Sequence, residues 1–165
     1  MASIRILATL ALCAAVSAAL LGCSGSGDDP ATTPSAHAGF GGAPVAAPVA
    51  SEVDEAMFHT PSKNIFCSLT HSAVRCDIGQ DKWKLPTKPA DCELDWGNGI
   101  YLQSGKVGFT CTGDTLLGSA TRTLEYGTAL RSGDVVCNSE STGLTCKDEK
   151  TGRGFTMSVA RYSFF

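Results

Sequence analysis

The sequence predicts an all-β domain, a small antiparallel sandwich or barrel built from disulfide-closed hairpins and preceded by a disordered tether. Three observations carry that expectation. Short runs rich in β-branched and aromatic residues recur between Gly, Ser, Asp and Pro punctuation. No segment holds a 3.6-residue hydrophobic period over three turns. Six cysteines fall within the same region at spacings that suit hairpins.

The chain opens on an address. Residues 1–5 carry one positive charge, Arg5, and residues 6–21 form an apolar run shorter than the ~20 residues that span a bilayer, so residues 1–22 read as a signal peptide. Leu20, Leu21 and Gly22 lead into Cys23, and Ser24 and Gly25 follow it. This arrangement resembles the lipobox of bacterial lipoproteins. The resemblance implies that Cys23 becomes the mature N-terminus and the site of lipid attachment, with acyl chains that partner the membrane. A rival cut after Ala18 or Ala19 leaves Cys23 a free thiol in an oxidising compartment, and cysteine parity argues against it. Of eight cysteines, Cys13 leaves with the signal and Cys23 carries lipid, so six remain, an even number.

Residues 23–55 shift to Gly, Ala, Pro, Ser and Thr, with Pro30, Pro34, Pro44 and Pro48 spaced along them. Such a stretch buries too little surface to offset the entropy of ordering and is expected to be a flexible tether, about 30 Å end to end as a coil and ~90 Å if extended. Residues 56–165 are the expected folded domain, about the size of one modest core. Strands are expected over 64–69, 73–78, 99–103, 106–110, 134–137, 143–146 and 154–164. In the last of these Phe155, Met157 and Val159 alternate with Thr156 and Ser158. Ser104-Gly105 is the expected hairpin turn between the middle pair.

An internal echo points to the cross-links. Cys67 and Cys76 are separated by eight residues, as are Cys137 and Cys146, and Val74-Arg75-Cys76 resembles Leu144-Thr145-Cys146, with Phe109-Thr110-Cys111 as a third copy. Opposed residues in a hairpin lie at disulfide distance. Sequential pairing is therefore expected, Cys67 with Cys76, Cys92 with Cys111 and Cys137 with Cys146, out of the 15 connectivities that six cysteines allow. Each bridge is worth roughly 3 kcal/mol in the chain-entropy description.

With these residues in view, the domain resembles an actinobacterial family of small exported proteins of unknown function, many of them lipid-anchored. The likeness rests on Thr60-Pro61-Ser62-Lys63-Asn64-Ile65, Arg75-Cys76-Asp77-Ile78, Asp95-Trp96-Gly97, Cys111-Thr112-Gly113-Asp114, Tyr126-Gly127, Gly143-Leu144-Thr145-Cys146 and the following Thr151-Gly152 and Gly154-Phe155. Where the pattern leads one to expect Gly after Pro61-Ser62, this chain has Lys63. The resemblance implies a fold and brings no catalytic residue with it.

Charge narrows the partners. Residues after Ala56 hold 12 of the 13 basic and 11 of the 16 acidic groups, so the domain is nearly neutral and lacks the basic face that nucleic acid demands. Lys82, Lys84 and Lys88 are the densest basic group and read as a solvated strand face. No Cys-x-x-Cys occurs, and His59 and His71 stand alone as expected surface residues, so no metal ligand set and no cofactor motif emerge. Gly105-Lys106 departs from a phosphate loop, and Gly-x-Ser-x-Gly and Ser-x-x-Lys are absent. Asp91, Glu93 and Asp95 alternate like the opening of a calcium loop, but Trp96 stands where that loop needs Gly.

Two functions from different classes remain. One is a non-enzymatic module, lipid-anchored at the outer face of the cytoplasmic membrane, that binds an envelope protein, glycan or lipid. The other is a small hydrolase of wall glycan using a carboxylate pair drawn from Asp91, Glu93, Asp95 and Asp114, set about 5 to 9.5 Å apart across a cleft. For the module, the stretch from Gln80 to Asn98 is the candidate binding loop, because Trp83 and Trp96 offer large rigid contact area there. Packing against a cystine competes with that role. Trp83, between Lys82 and Lys84, is the one of the pair expected to be exposed.

Overall fold

Among the described residues twelve short strands, laid down in two runs of six, build the domain. In the structure, a computed structural model, residues 48–165 are described; the expected signal peptide, Cys23 and the expected tether up to residue 47 lie outside the described residues. The strands are β1 (Ala50–Glu52), β2 (Ala56–His59), β3 (Ile65–Thr70), β4 (Ala73–Ile78), β5 (Asp95–Gln103), β6 (Lys106–Thr112), β7 (Arg122–Thr123), β8 (Thr128–Ser132), β9 (Val135–Glu140), β10 (Gly143–Asp148), β11 (Gly154–Met157) and β12 (Tyr162–Phe164). Two six-stranded sheets result, one in the order β1-β8-β9-β10-β11-β12 and the other β7-β2-β3-β4-β5-β6.

Adding six to each strand number of the second sheet, with β7 returning to β1, gives the first. The described domain is thus two equivalent halves, and each lends its first strand to the sheet of the other. β1 pairs parallel with β8, β7 pairs parallel with β2, and every other pairing is antiparallel. The sheet begins at Ala50, inside the stretch expected to be tether, because the backbone of residues 50–52 finds a free edge on β8.

Alternation along each strand puts one set of side chains into a shared core. Phe58, Leu69, Ile100 and Leu102 from one sheet meet Leu130, Leu144, Phe155 and Met157 from the other, all of them inaccessible or nearly so. All three expected disulfides are present. Cys67 faces Cys76 and Cys137 faces Cys146 in register, each with Cα atoms 4.1 Å apart, and both cystines are fully buried. Cys92–Cys111 differs: it ties the connection between β4 and β5 to the end of β6.

Turn chemistry follows the residues. Ser104 and Gly105 both adopt positive φ, 47° and 74°, the pair of left-handed residues that closes a two-residue hairpin with the right twist. Lys63 stands at φ 54°, at the position where Gly was expected, and its N–H reaches the Thr60 carbonyl at 2.8 Å. The expected single strand over 154–164 is instead a hairpin. β11 ends at Met157, Ser158 and Arg161 close the turn through hydrogen bonds, and Val159 is exposed on it.

Candidate functional site

The two halves differ most between their fourth and fifth strands. From β10 to β11 the chain needs only residues 149–153, where Asp148 accepts hydrogen bonds from the Lys150 and Thr151 N–H groups at 2.9 and 3.0 Å. From β4 to β5 it spends residues 79–94, fastened at their start by reciprocal 2.9 Å hydrogen bonds between Asn64 and Gln80 and near their end by Cys92–Cys111. That loop walls one side of a groove of about 820 Å³ on the outer face of β4, β5 and β6. On the outer face of the other sheet the corresponding cavity is about 190 Å³.

Register explains the floor. Tyr101 stands opposite Gly108, and a Cβ on Gly108 would come within 3.0 Å of the phenol ring. The missing side chain lets Tyr101 lie across β6, with Gln103, Lys106 and Thr110 around it. Leu116, from the connection after β6, and Pro89 and Asp91, from the 79–94 loop, complete the rim.

Arg75 organises the edge. Its guanidinium binds the buried Asp77 carboxylate in bidentate fashion, 2.9 Å from Nε and 2.8 Å from Nη2, and donates to Asp114 Oδ1 at 2.8 Å and to the Asp114 carbonyl at 3.0 Å. Burial opposes the charge on Arg75, but its hydrogen bonds and charge contacts with Asp77 and Asp114 outweigh that and raise its pKa. Asp114 is held below the ordinary carboxylate value, first by the Thr112 hydroxyl and then by Arg75. Asp77 Oδ2 also accepts the Leu116 N–H at 2.9 Å, which pins the connection between β6 and β7. The counterparts of Arg75 and Asp77 in the second half are Thr145 and Lys147, so this network belongs to the first half alone.

Two groove residues carry buried polar atoms with no protein partner, Thr110 Oγ1 and Trp96 Nε1. The other such atom among the described residues, Ser139 Oγ, sits on β9 away from the groove. A buried hydroxyl left unpaired costs about 1–3 kcal/mol.

The expected site residues fall as follows. Trp96 lies on β5, half-buried edge-on against Phe109 at 5.6 Å, and borders the groove. Trp83 is half-buried too, and not the exposed residue of the pair. Its ring packs on Phe109 and Tyr162, and its indole N–H donates to the Ser158 carbonyl at 2.8 Å. That contact draws the 79–94 loop over toward the β11–β12 turn, so Trp83 serves packing. Lys82, Lys84 and Lys88 are exposed as expected, but on this loop and not on a strand. His59 is buried, not on the surface, because its ring packs on Phe66 at 5.3 Å and its Nδ1 bonds the Thr60 carbonyl at 2.8 Å; His71 is exposed.

Of the four carboxylates considered for hydrolysis, Asp91 lines the groove, Glu93 and Asp95 are exposed near it, and Asp114 is engaged by Arg75. Among the described residues no group of three or more Cys, His, Asp and Glu side chains is placed to hold a metal ion, and no helix is long and apolar enough to cross a membrane. Sequence reasoning missed Tyr101, Gln103 and Thr110. Their alternation along β5 and β6 was visible, but nothing local marked which face would be left open.

Residues 42–165 match a family described as "Family of unknown function (DUF6636)". The chain belongs to this family. The match spans the whole described DUF6636 domain and starts eight residues before β1, in keeping with a sheet that begins at Ala50 and not at residue 56. No curated protein and no solved structure matches the chain.

Proposed function

We propose that this DUF6636 chain is an exported, non-enzymatic binding module, held at the outer face of the cytoplasmic membrane by acyl chains on Cys23, whose groove over β4, β5 and β6 receives a component of the cell envelope. One observation carries the reading: the groove lies where the first half departs from the second, walled by a disulfide-fastened loop and floored by Tyr101 and by a buried, unpaired Thr110 hydroxyl. Rigid strands bearing an aromatic platform and a few placed polar groups are the usual make-up of a recognition site. The signal sequence, Cys23 and the Pro-rich stretch behind it support presentation outside the membrane.

Site-specific photo-crosslinking in intact envelopes tests the binding role. A photoreactive residue in place of Gln103, exposed in the groove, is expected to capture a discrete partner that the same residue at Lys150, on the opposite half, does not. Identical products from both positions would refute it. Anchoring is tested by detergent partition: the wild-type chain is expected in the detergent phase and Cys23→Ala in the aqueous phase, and a processed Cys23→Ala protein that still partitions into detergent overturns the lipid attachment.

A further inference from the structure

We infer that the occupant of the groove is a neutral glycan, an uncharged polyhydroxylated chain laid across the outer face of β4, β5 and β6; this rests on the binding-module reading above. The polar groups that face it are hydroxyls and an amide: Ser68, Thr70, Gln103, Thr110 and Thr112. Ser68 and Gln103 both donate and accept, as a sugar hydroxyl does, while Thr70 and Thr112 give their protons to the Ala73 carbonyl and to Asp114 and keep lone pairs with which to accept, so donors and acceptors both line the groove. Tyr101 lies across Gly108 with an apolar ring face suited to the C–H side of a pyranose, and its phenol keeps a polar end. Thr110 is 5% exposed and its hydroxyl is buried with no protein partner; a turn about its Cα–Cβ bond that brings the hydroxyl to the groove lets a ligand hydroxyl pair it, which relieves a standing cost and does not merely exchange one hydrogen bond for another.

Charge selects against the alternatives. Arg75 is engaged by both Asp77 and Asp114, and the remaining charges on the lining, Lys106 and Asp91, are opposite in sign. A polyanion needs cations that are free to pair with it. A peptide that adds as a strand would pair with the free edge of β6, the terminal strand of this sheet, whereas the groove lies over the sheet's face, lined by side chains of β4, β5 and β6. Trp83 takes no part, since its N–H is committed to Ser158.

The test uses the full chain in detergent micelles, titrated with neutral tetrasaccharides of β-linked glucose, β-linked N-acetylglucosamine and α-linked mannose, with a galacturonate tetramer as the acidic comparison, and followed by calorimetry and by tryptophan emission. At least one neutral tetramer is expected to bind saturably, with Tyr101→Ala and Gln103→Ala each weakening it about tenfold or more. Gln103 is exposed, so that variant keeps the fold. Thr110→Val is the sharper variant: it is expected to weaken glycan binding while leaving the thermal midpoint unchanged or higher, because it removes an unsatisfied hydroxyl at nearly constant shape. The inference is overturned if no neutral tetramer binds saturably, if Tyr101→Ala and Gln103→Ala bind as well as the parent, or if Thr110→Val binds undiminished. If the galacturonate tetramer alone binds, and depends on Gln103, the neutral-glycan assignment falls while the binding-module reading stands. If Gln103 crosslinking also fails, both fall.

Discussion

Gly99 shows how one missing side chain permits a buried charge. It pairs with Asp77 across β4 and β5, and a Cβ there would meet the Cys76 carbonyl and lie 2.5 Å from Asp77 Oδ1. Both are held, the first in the ladder and the second by Arg75, so nothing can yield. Gly99→Ala is expected to cost about 3 kcal/mol in thermal or urea unfolding, whereas Gly113→Ala, whose Cβ would meet only Leu94 at 3.7 Å, is tolerated. Asp114 gives the same network a pH dependence. Its folded pKa lies below the ordinary 3.8, so its contribution is complete above that value and is lost as pH falls through the lowered one. Unfolding followed toward acid is therefore expected to show a shallower loss of stability below about pH 4 for Asp114→Asn than for the parent. Coincident acid limbs would remove Asp114 from the account. At this scale the sequence was legible where the constraint is local: Lys63 holds the left-handed φ of an expected Gly, and Ser104-Gly105 turns the hairpin. The burial of His59 was not legible, because it depends on Phe66 from the neighbouring strand.

Among the elements, the hairpins could be read because both partners and their cystine lie within a few residues of one another. Cys67–Cys76 and Cys137–Cys146 are cross-strand pairs in consecutive strands. β1 and β7 could not be read. They hold three and two residues, and they exist only because a distant strand of the other half offers an edge. The 79–94 loop contains no strand, and its order comes from fastenings at three places: Asn64 to Gln80, Lys82 and Trp83 to Val159 and Ser158, and Cys92 to Cys111. Opening the third should release the C-terminal part of the loop and leave the core alone, since the other two cystines are the buried ones. A Cys92→Ser, Cys111→Ser double variant is expected to lose about 3 kcal/mol and yet unfold cooperatively, and to gain a tryptic cut after Lys84. Removing Cys67 and Cys76 together is expected to leave two cavities' worth of core unpacked and to unfold the domain at a lower temperature than the first pair does. Equal resistance of the double variant and the parent at Lys84 would show that the loop is held without its cystine.

Taken whole, the described domain is two copies of one six-stranded unit that cannot be separated without breaking both. Each unit leaves the edge of its second strand to be covered by the other's first, and the core residues of one sheet have their partners in the other. The sequence carried the trace of this duplication in its repeated Cys spacing and tripeptides, while the exchange of first strands is non-local and left no pattern in the chain. Among the described residues no disulfide crosses between the units: Cys67, Cys76, Cys92 and Cys111 lie before the connection from β6 to β7, and Cys137 and Cys146 after it. Gly118 sits in that connection, exposed, at φ 80° and with nothing within 4 Å of where a Cβ would be. A chain divided after Gly118 and co-expressed as two pieces is therefore expected to assemble into one species by gel filtration and to separate on a non-reducing denaturing gel. Its unfolding midpoint should rise with protein concentration, because division turns a first-order equilibrium into an association. Each piece alone should show no cooperative transition, lacking both the parallel edge strand and the facing half of the core. A cooperative, concentration-independent melt from either piece by itself would mean that the units are independent domains and that the reciprocal strands are ornament, not the joint that makes them one fold.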